Sequence, residues 1–337
     1  MKKVLILTEH FNIGGAEKAL IRLLKSYDLT KYDINLMLVF NETSLACELP
    51  HEVKMSYIFQ NRSPENLAQI QNNPREVYEK YIKDFYDIEI AYIEGYPTAI
   101  IGASNNLYSY KIAWVHIDFT NTHHSSKAFQ NDEEEQLVYQ KYQKIMFCSE
   151  AALIGFKKYV NAYDKYEQLF EVKYCLPKKD ELKQLSKEYV VEEDTPYFCT
   201  LARLVTEKGL DRIIYAAYIL RKEGYKFKCL IFGEGNLRDE LQAQINELSL
   251  TNIVLLKGEL INPYPYLKQS IAYVCSSIGE SLCFAVKESL LLSVPVIACK
   301  SSGTIETLEN EELGLLVDNS KDGVLDGMRK ILTNSFK

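Results

Sequence analysis

Paired cysteines, long apolar runs and excess positive charge are all missing from this 337-residue chain, and each absence removes a class of function. Its eight cysteines form no C-x-x-C pair, so zinc-ribbon and thioredoxin-type chemistry is not indicated. Cys148, Cys199, Cys229 and Cys275 stand inside apolar, strand-like runs, as reduced, buried thiols of a cytosolic protein do. No run approaches 18 apolar residues, so no membrane span is expected. The net charge of −7 argues against nucleic acid as the main partner. No D-x-D pair follows an apolar run, so a divalent ion holding a diphosphate is not suggested; no metal and no other cofactor is expected. Met1-Lys2-Lys3 leads straight into Val4-Leu5-Ile6-Leu7, read as a first strand rather than a leader.

What is present is ordinary globular composition, 47% apolar and 25% charged, in a length that suits two domains. Short apolar runs recur at 3–8, 34–40, 53–59, 88–95, 110–116 and 142–149, with helix-like stretches between them. Strands alternating with helices predict βαβ units and a parallel sheet. Residues 61–86 are expected to be a loop followed by a helix. Residues 177–196 are the most charged stretch and lack an apolar core. We therefore place the connection at 176–196, between a first domain at 1–175 and a second at 197–337. The alternation restarts at Tyr197 and continues through 228–235, 271–275 and 295–299. The expected fold class is α/β, with two doubly wound Rossmann-like parallel-sheet domains facing across a cleft.

In such sheets ligands bind at the carboxyl ends of the strands, which yields a short list of positions. Gly14 and Gly15 follow the first strand, where a glycine pair lets backbone approach a ligand; a plain turn is an equal reading. His116 ends the run at 110–116, as a site residue or as a histidine satisfied at a strand end. His123 and His124 are read as part of a polar loop with no rigid element to hold a metal. Arg203 and Lys208 follow the strand at 197–202, a planar fork and a mobile point charge suited to clamp a diphosphate. Taken singly they are surface charges. Glu280 follows the strand at 271–275, and Glu288 lies eight residues on, within a helix-like run. Carboxylates do not bind phosphate, so these two are read as hydroxyl acceptors for sugars on either side of a diphosphate. Solvated acids are the alternative.

The succession GGAEKAL, WVH, ARLVTEKG, FGEG, GES, KESLL and PVIA resembles glycosyltransferase family 4, the retaining nucleotide-sugar transferases of GT-B fold, over nearly the whole chain. Its R-x4-K and E-x7-E elements are Arg203 to Lys208 and Glu280 to Glu288. The resemblance implies that Gly14 and Gly15 lie against the diphosphate and that Arg203 and Lys208 neutralise it as it leaves. Glu280 would accept donor-sugar hydroxyls and Glu288 the ribose diol. His116 would stand on the acceptor side. Backbone at Leu282, Cys283 and Phe284 would hold phosphate, and Gly258, Glu259 and Leu260 would face the base. His116, Arg203, Lys208 and Glu280 are thus the implied catalytic set. Family members often carry glycine where this chain has Ser281 and Cys283, which bears on donor choice. The family's final helix, which crosses back to the first domain, is expected to be short or displaced.

The implied activity is sugar transfer with retention from a nucleotide diphosphate donor, UDP-sugar favoured, to a hydroxyl of a bacterial cell-surface glycan, lipid-linked or protein acceptor. The implied location is the cytoplasm, including its membrane face. Lys157, Lys158, Lys165 and Lys173 offer a basic face toward anionic lipid, or, with more weight, a solvated helix surface. Residues 57–142 are rich in tyrosine, which suits sugar stacking but is equally ordinary packing. Two other readings are a nucleotide-sugar epimerase and a non-catalytic subunit that stabilises a transferase partner. Retention of Arg203, Lys208, Glu280 and Glu288 counts against the second.

Overall fold

The computed structural model describes residues 1–120, 123–160, 170–309 and 312–333. The chain divides into two compact units, Met1–Cys175 and Leu176–Lys337. In the first unit, strands β1 (Lys2–Thr8), β2 (Tyr32–Phe40), β3 (Lys54–Phe59), β4 (Ile88–Ala91), β5 (Tyr110–Val115), β6 (Lys144–Phe147) and β7 (Phe170–Val172) form one sheet. The helices between them are α1 (Gly15–Ser26), α2 (Pro64–Asn72), α3 (Pro74–Tyr81), α4 (Tyr96–Gly102), α5 (Asp132–Tyr139) and α6 (Glu150–Tyr159). The second unit opens with α7 (Lys179–Leu185). Its sheet holds β8 (Tyr197–Leu201), β9 (Lys228–Phe232), β10 (Val254–Gly258), β11 (Ala272–Cys275), β12 (Val296–Cys299) and β13 (Gly314–Val317). The helices that follow these strands are α8 (Leu210–Lys222), α9 (Arg238–Glu247), α10 (Tyr264–Gln269), α11 (Phe284–Leu291), α12 (Ser302–Leu308) and α13 (Lys321–Leu332).

All pairings between these strands are parallel. Parallel sheets bury both faces, and the strand sequences show it. Phe198, Ile231 and Val274 enter one apolar layer with Ile213, Ile214 and Leu220 of α8. Their neighbours Tyr197, Leu230 and Tyr273 enter the opposite layer with Val286 of α11. Each fully buried Leu or Ile side chain contributes roughly 1.5–3 kcal/mol, so the two layers together fix the sheet.

The strand orders are β3-β2-β1-β4-β5-β6-β7 and β10-β9-β8-β11-β12-β13. In each sheet the chain builds outward to one side, then returns to build the other. The reversal falls between β1 and β4 in one unit and between β8 and β11 in the other. Loops leaving two adjacent strands at such a point diverge to opposite faces and open a crevice.

Local departures from the sequence expectation have plain causes. The stretch 61–86 holds two helices, because Pro74 cannot continue the ladder of the first but suits the first turn of the second. Within the stretch read as a connection, α7 forms and buries Leu182; Val191 is buried too, and both join the second unit's core. The three-residue β7 is too short to leave a periodic signal. Of the four lysines considered as a basic face, Lys165 lies outside the described residues. Among the described residues no helix is long and apolar enough to cross a membrane.

Candidate functional site

The second unit's switch point is polar and tightly tied. The turn after β8 reaches Gly209, which adopts φ +55. A β-carbon there would come within 2.6 Å of the Ser276 carbonyl oxygen, so glycine is what lets this turn approach the end of β11. The contact is reinforced by the Ser276 hydroxyl, which donates to the Lys208 carbonyl at 2.8 Å. Arg212 Nη1 donates to the Ser276 carbonyl at 3.2 Å.

This approach brings Lys208 to Glu280. The ammonium lies 2.5 Å from Oε1 of the carboxylate, and the Ser277 hydroxyl donates to the same oxygen at 2.6 Å. Burial opposes the charge on Lys208, but the Glu280 carboxylate outweighs it and holds the lysine above its ordinary pKa. On the other side the Glu280 carbonyl accepts from the Gly303 N–H at 2.8 Å and from the Ser302 hydroxyl at 3.2 Å. A β-carbon at Gly303 would lie 2.3 Å from the Ser281 carbonyl oxygen, so the start of α12 can close on the loop only because that position is glycine. Ser301 and Thr304 form a capping box there.

The other expected donor-side residues fall around this loop. Arg203 is exposed at the end of β8. Ser281, Leu282 and Cys283 are buried. Cys283 is the N-cap of α11 and makes no side-chain cap hydrogen bond. Glu288 is 5% exposed within α11, which corrects any picture of it as a solvated helix acid. Gly258 ends β10 at φ +78, Glu259 is exposed, and Leu260 packs on the core.

In the first unit, Gly14 is the N-cap of α1 and Gly15 its first residue. The space a side chain at Gly14 would use is taken by the Glu17 carboxylate, 2.2 Å from an ideal β-carbon. His116 follows β5. Its ring lies 5.0 Å from Tyr92 and runs nearly parallel to Trp114. Nε2 is buried with no hydrogen-bond partner, and burial lowers the imidazole pKa to about 4, so the ring is neutral at physiological pH.

Sequence reasoning missed the partner of His116. The backbone N–H of His116, not its ring, donates to Glu94 Oε2 at 2.8 Å. Glu94 follows β4 and is 8% exposed. Burial raises its pKa to about 7, against the opposing hydrogen bond from His116. A carboxyl poised near neutrality can give or take a proton. The available signal was an acid placed directly after the apolar run 90–93 and before Gly95, which adopts φ +87.

The polar-loop reading of His123 and His124 is also corrected. His124–Ala128 form a 3-10 turn. His123 Nε2 lies 2.7 Å from the Glu135 carboxylate on α5, which also accepts from Ser125 at 2.8 Å and Tyr159 at 3.1 Å. These partners absorb the buried charge of Glu135, whose pKa burial nevertheless raises.

A family model described as Glycosyl transferases group 1 matches residues 182–337. An uncharacterized glycosyltransferase of Methanocaldococcus jannaschii is 35% identical over 165 residues, covering 47% of this chain and 40% of that protein. The N-acetylgalactosamine-N,N'-diacetylbacillosaminyl-diphospho-undecaprenol 4-alpha-N-acetylgalactosaminyltransferase of Campylobacter jejuni is 36% identical over 107 residues, 31% of this chain and 29% of its own. The chain thus spans less than half the length of these curated relatives. Among solved structures, Anabaena HepE in complex with UDP and glucose matches with a TM-score of 0.77 at 18% identity, over 99% of this chain and 91% of that one. That likeness concerns the fold, two Rossmann-like parallel-sheet units as in GT-B glycosyltransferases.

Proposed function

We propose that this protein is a retaining glycosyltransferase of the family 4 type, taking its sugar from a nucleotide diphosphate donor, UDP-sugar favoured. The observation that carries the reading is the Lys208–Glu280 pair at the β8/β11 switch point, beside a helix start with no side-chain cap. Lys208 and the exposed Arg203 supply positive charge where a leaving diphosphate develops negative charge, and preorganised charge of that kind is usually the largest catalytic term. The positive end of α11, opened by Cys283, suits phosphate oxygens. Glu280, held by Lys208 and Ser277, accepts donor-sugar hydroxyls, and the buried Glu288 the ribose diol. Gly258, Glu259 and Leu260 flank the base. No metal is needed where lysine, arginine and a helix end supply the charge.

In the first unit Gly14 and Gly15 remain the donor-side candidates, and neutral His116 with Glu94 serves the acceptor side. The acceptor is a hydroxyl of a cell-surface glycan, lipid-linked or protein-bound, used at the cytoplasmic face of the membrane. The match of residues 182–337 to a glycosyltransferase family model supports the donor half of this reading; relatives named for polysaccharide and lipid-linked acceptors support the acceptor class.

The test is a thermal-shift panel of nucleotides and nucleotide sugars, followed by donor hydrolysis. UDP-sugars should raise Tm, and Lys208→Ala should abolish the shift. If no nucleotide stabilises the protein, the reading fails. One observation favours a second reading. Glu94 beside His116 gives the additional acid–base group that a nucleotide-sugar epimerase requires. Incubation with donor alone separates them, since an epimerase yields an isomerised nucleotide sugar without acceptor.

A further inference from the structure

Two thiols meet beside the Lys208–Glu280 pair. Cys275 ends β11, Cys283 caps α11, and their Sγ atoms lie 3.8 Å apart. Both are buried, at 3% and 7% exposure. A carboxylate oxygen of Glu280 completes the group, all three donor atoms lying within 4.8 Å of one another. Tetrahedral zinc with bonds to sulfur of about 2.3 Å sets its two sulfurs about 3.8 Å apart. The Cys275 thiol donates to Cys283 Sγ across this distance, and the same spacing serves two sulfurs sharing one ion.

Charge balance agrees. With the thiols protonated, Glu280 and Lys208 cancel. When a divalent cation enters, two thiol protons leave to solvent. Two thiolates and one carboxylate then face the cation and the lysine ammonium, and the sum is again zero. No uncompensated charge is buried in either state. Oε1 of Glu280 is already used by Lys208 and Ser277, and a carboxylate has a second oxygen to offer. The same two partners fix its orientation, as outer-shell hydrogen bonds do around metal ligands. Thiolate ligands select soft or borderline ions over magnesium or calcium.

We propose that Cys275, Cys283 and Glu280 form a binding site for a thiophilic divalent cation of the zinc class. Resting on the glycosyltransferase reading, its occupation competes with use of Glu280 by the donor sugar. The ion is an inhibitor here and takes no part in sugar transfer. Three protein ligands leave one position for water.

The test uses the full chain with Cys47→Ser, because Cys47 is an exposed thiol that could bind metal by itself. The protein, kept reduced by a phosphine, is titrated with cadmium, which shares zinc's ligand preference and shows thiolate-to-metal absorption. Expected are one ion per chain with that absorption, and at least a ~10-fold weaker affinity in Cys283→Ser, whose fold is checked by circular dichroism. Should Cys283→Ser fail to fold, Cys275→Ser gives the same readout. Absence of stoichiometric binding, or binding unchanged in both variants, overturns the site. In the activity arm, zinc should slow donor turnover of the parent protein and lose that effect in Cys275→Ser, whose side chain lies outside the donor loop. Binding without any change in turnover overturns the competition. Binding in a protein that turns over no donor overturns the transferase reading and leaves the site standing.

Discussion

The two switch points are built from the same topology and opposite electrostatics. Between β8 and β11, a lysine and a glutamate neutralise each other and two serines tie the loops together. Between β1 and β4, extended to β5, a carboxyl and an imidazole are buried, and among the described residues no cation perturbs either. Burial pushes both toward their neutral forms, Glu94 up to about 7 and His116 down to about 4. The comparison teaches that a shared fold fixes where a site can be, while a few side chains decide whether it manages charge or protons. The first arrangement suits a ligand with fixed charge; the second suits a neutral ligand whose proton must move.

The largest effect should come from breaking the charged site. Lys208→Ala removes the cation and leaves Glu280 with Ser277; kcat/KM for donor turnover should fall on the order of 10³-fold, with Arg203→Ala, at an exposed position, nearer 10². Wild-type rates in both variants would sink the assignment of charge stabilisation to this point.

The second site should announce itself through pH. Between pH 4.5 and 7 folded Glu94 holds a proton that the unfolded chain has released, so its contribution weakens as pH rises through that window. Between pH 6.5 and 4 the unfolded chain binds a proton that folded His116 refuses, so this contribution weakens as pH falls. The two slopes, ~1.4 kcal/mol per pH unit each, cancel where they overlap, from 4.5 to 6.5. Glu94→Gln should therefore expose the histidine alone and lose about 3 kcal/mol relative to wild type on going from pH 6.5 to 4.5. His116→Phe should show the reverse trend. Denaturant melts across this range check both, and parallel curves for all three proteins would refute the buried pair.

A smaller effect sharpens the geometric half of the comparison. Gly209→Ala forces a β-carbon toward the Ser276 carbonyl at φ +55 and should cost about 1–3 kcal/mol by thermal melting, loosening the tie between β8 and β11. Away from both points, Lys157→Glu with Lys158→Glu should change stability by less than ~0.5 kcal/mol. Sedimentation with anionic vesicles shows whether that face contributes any membrane attraction, and equal sedimentation of variant and wild type would refute one.

Much of the site could be read before the fold was known, for a local reason. Arg203, Lys208, Glu280 and His116 each follow an apolar run that had to be a strand, and strand ends are where such sheets bind ligands. Residues whose meaning depends on a distant partner were read less well. His123 looked like loop because Glu135 lies twelve residues away on a helix with little apolar periodicity. Leu182 looked like part of a charged connection because one buried residue in seven leaves no pattern. Glu94 looked like one more acid, since burial of a carboxyl is a property of what packs around it. Cys283 was seen as a departure at the donor loop, but its contact with Cys275 was invisible.

By itself, then, the sequence determined most strands and helices, though not β7 or α7, together with their parallel class and the two-unit plan. Those follow from periodicities of two and 3.6 residues and from short loops, all within a few turns of chain. Only tertiary structure decided strand order. Setting β11 beside β8, rather than beside β10, joins Lys208 to Glu280 across 72 residues; setting β5 beside β4 joins His116 to Glu94. Packing of both sheet faces selects that order, and pairwise sums over distant residues leave no mark on local pattern.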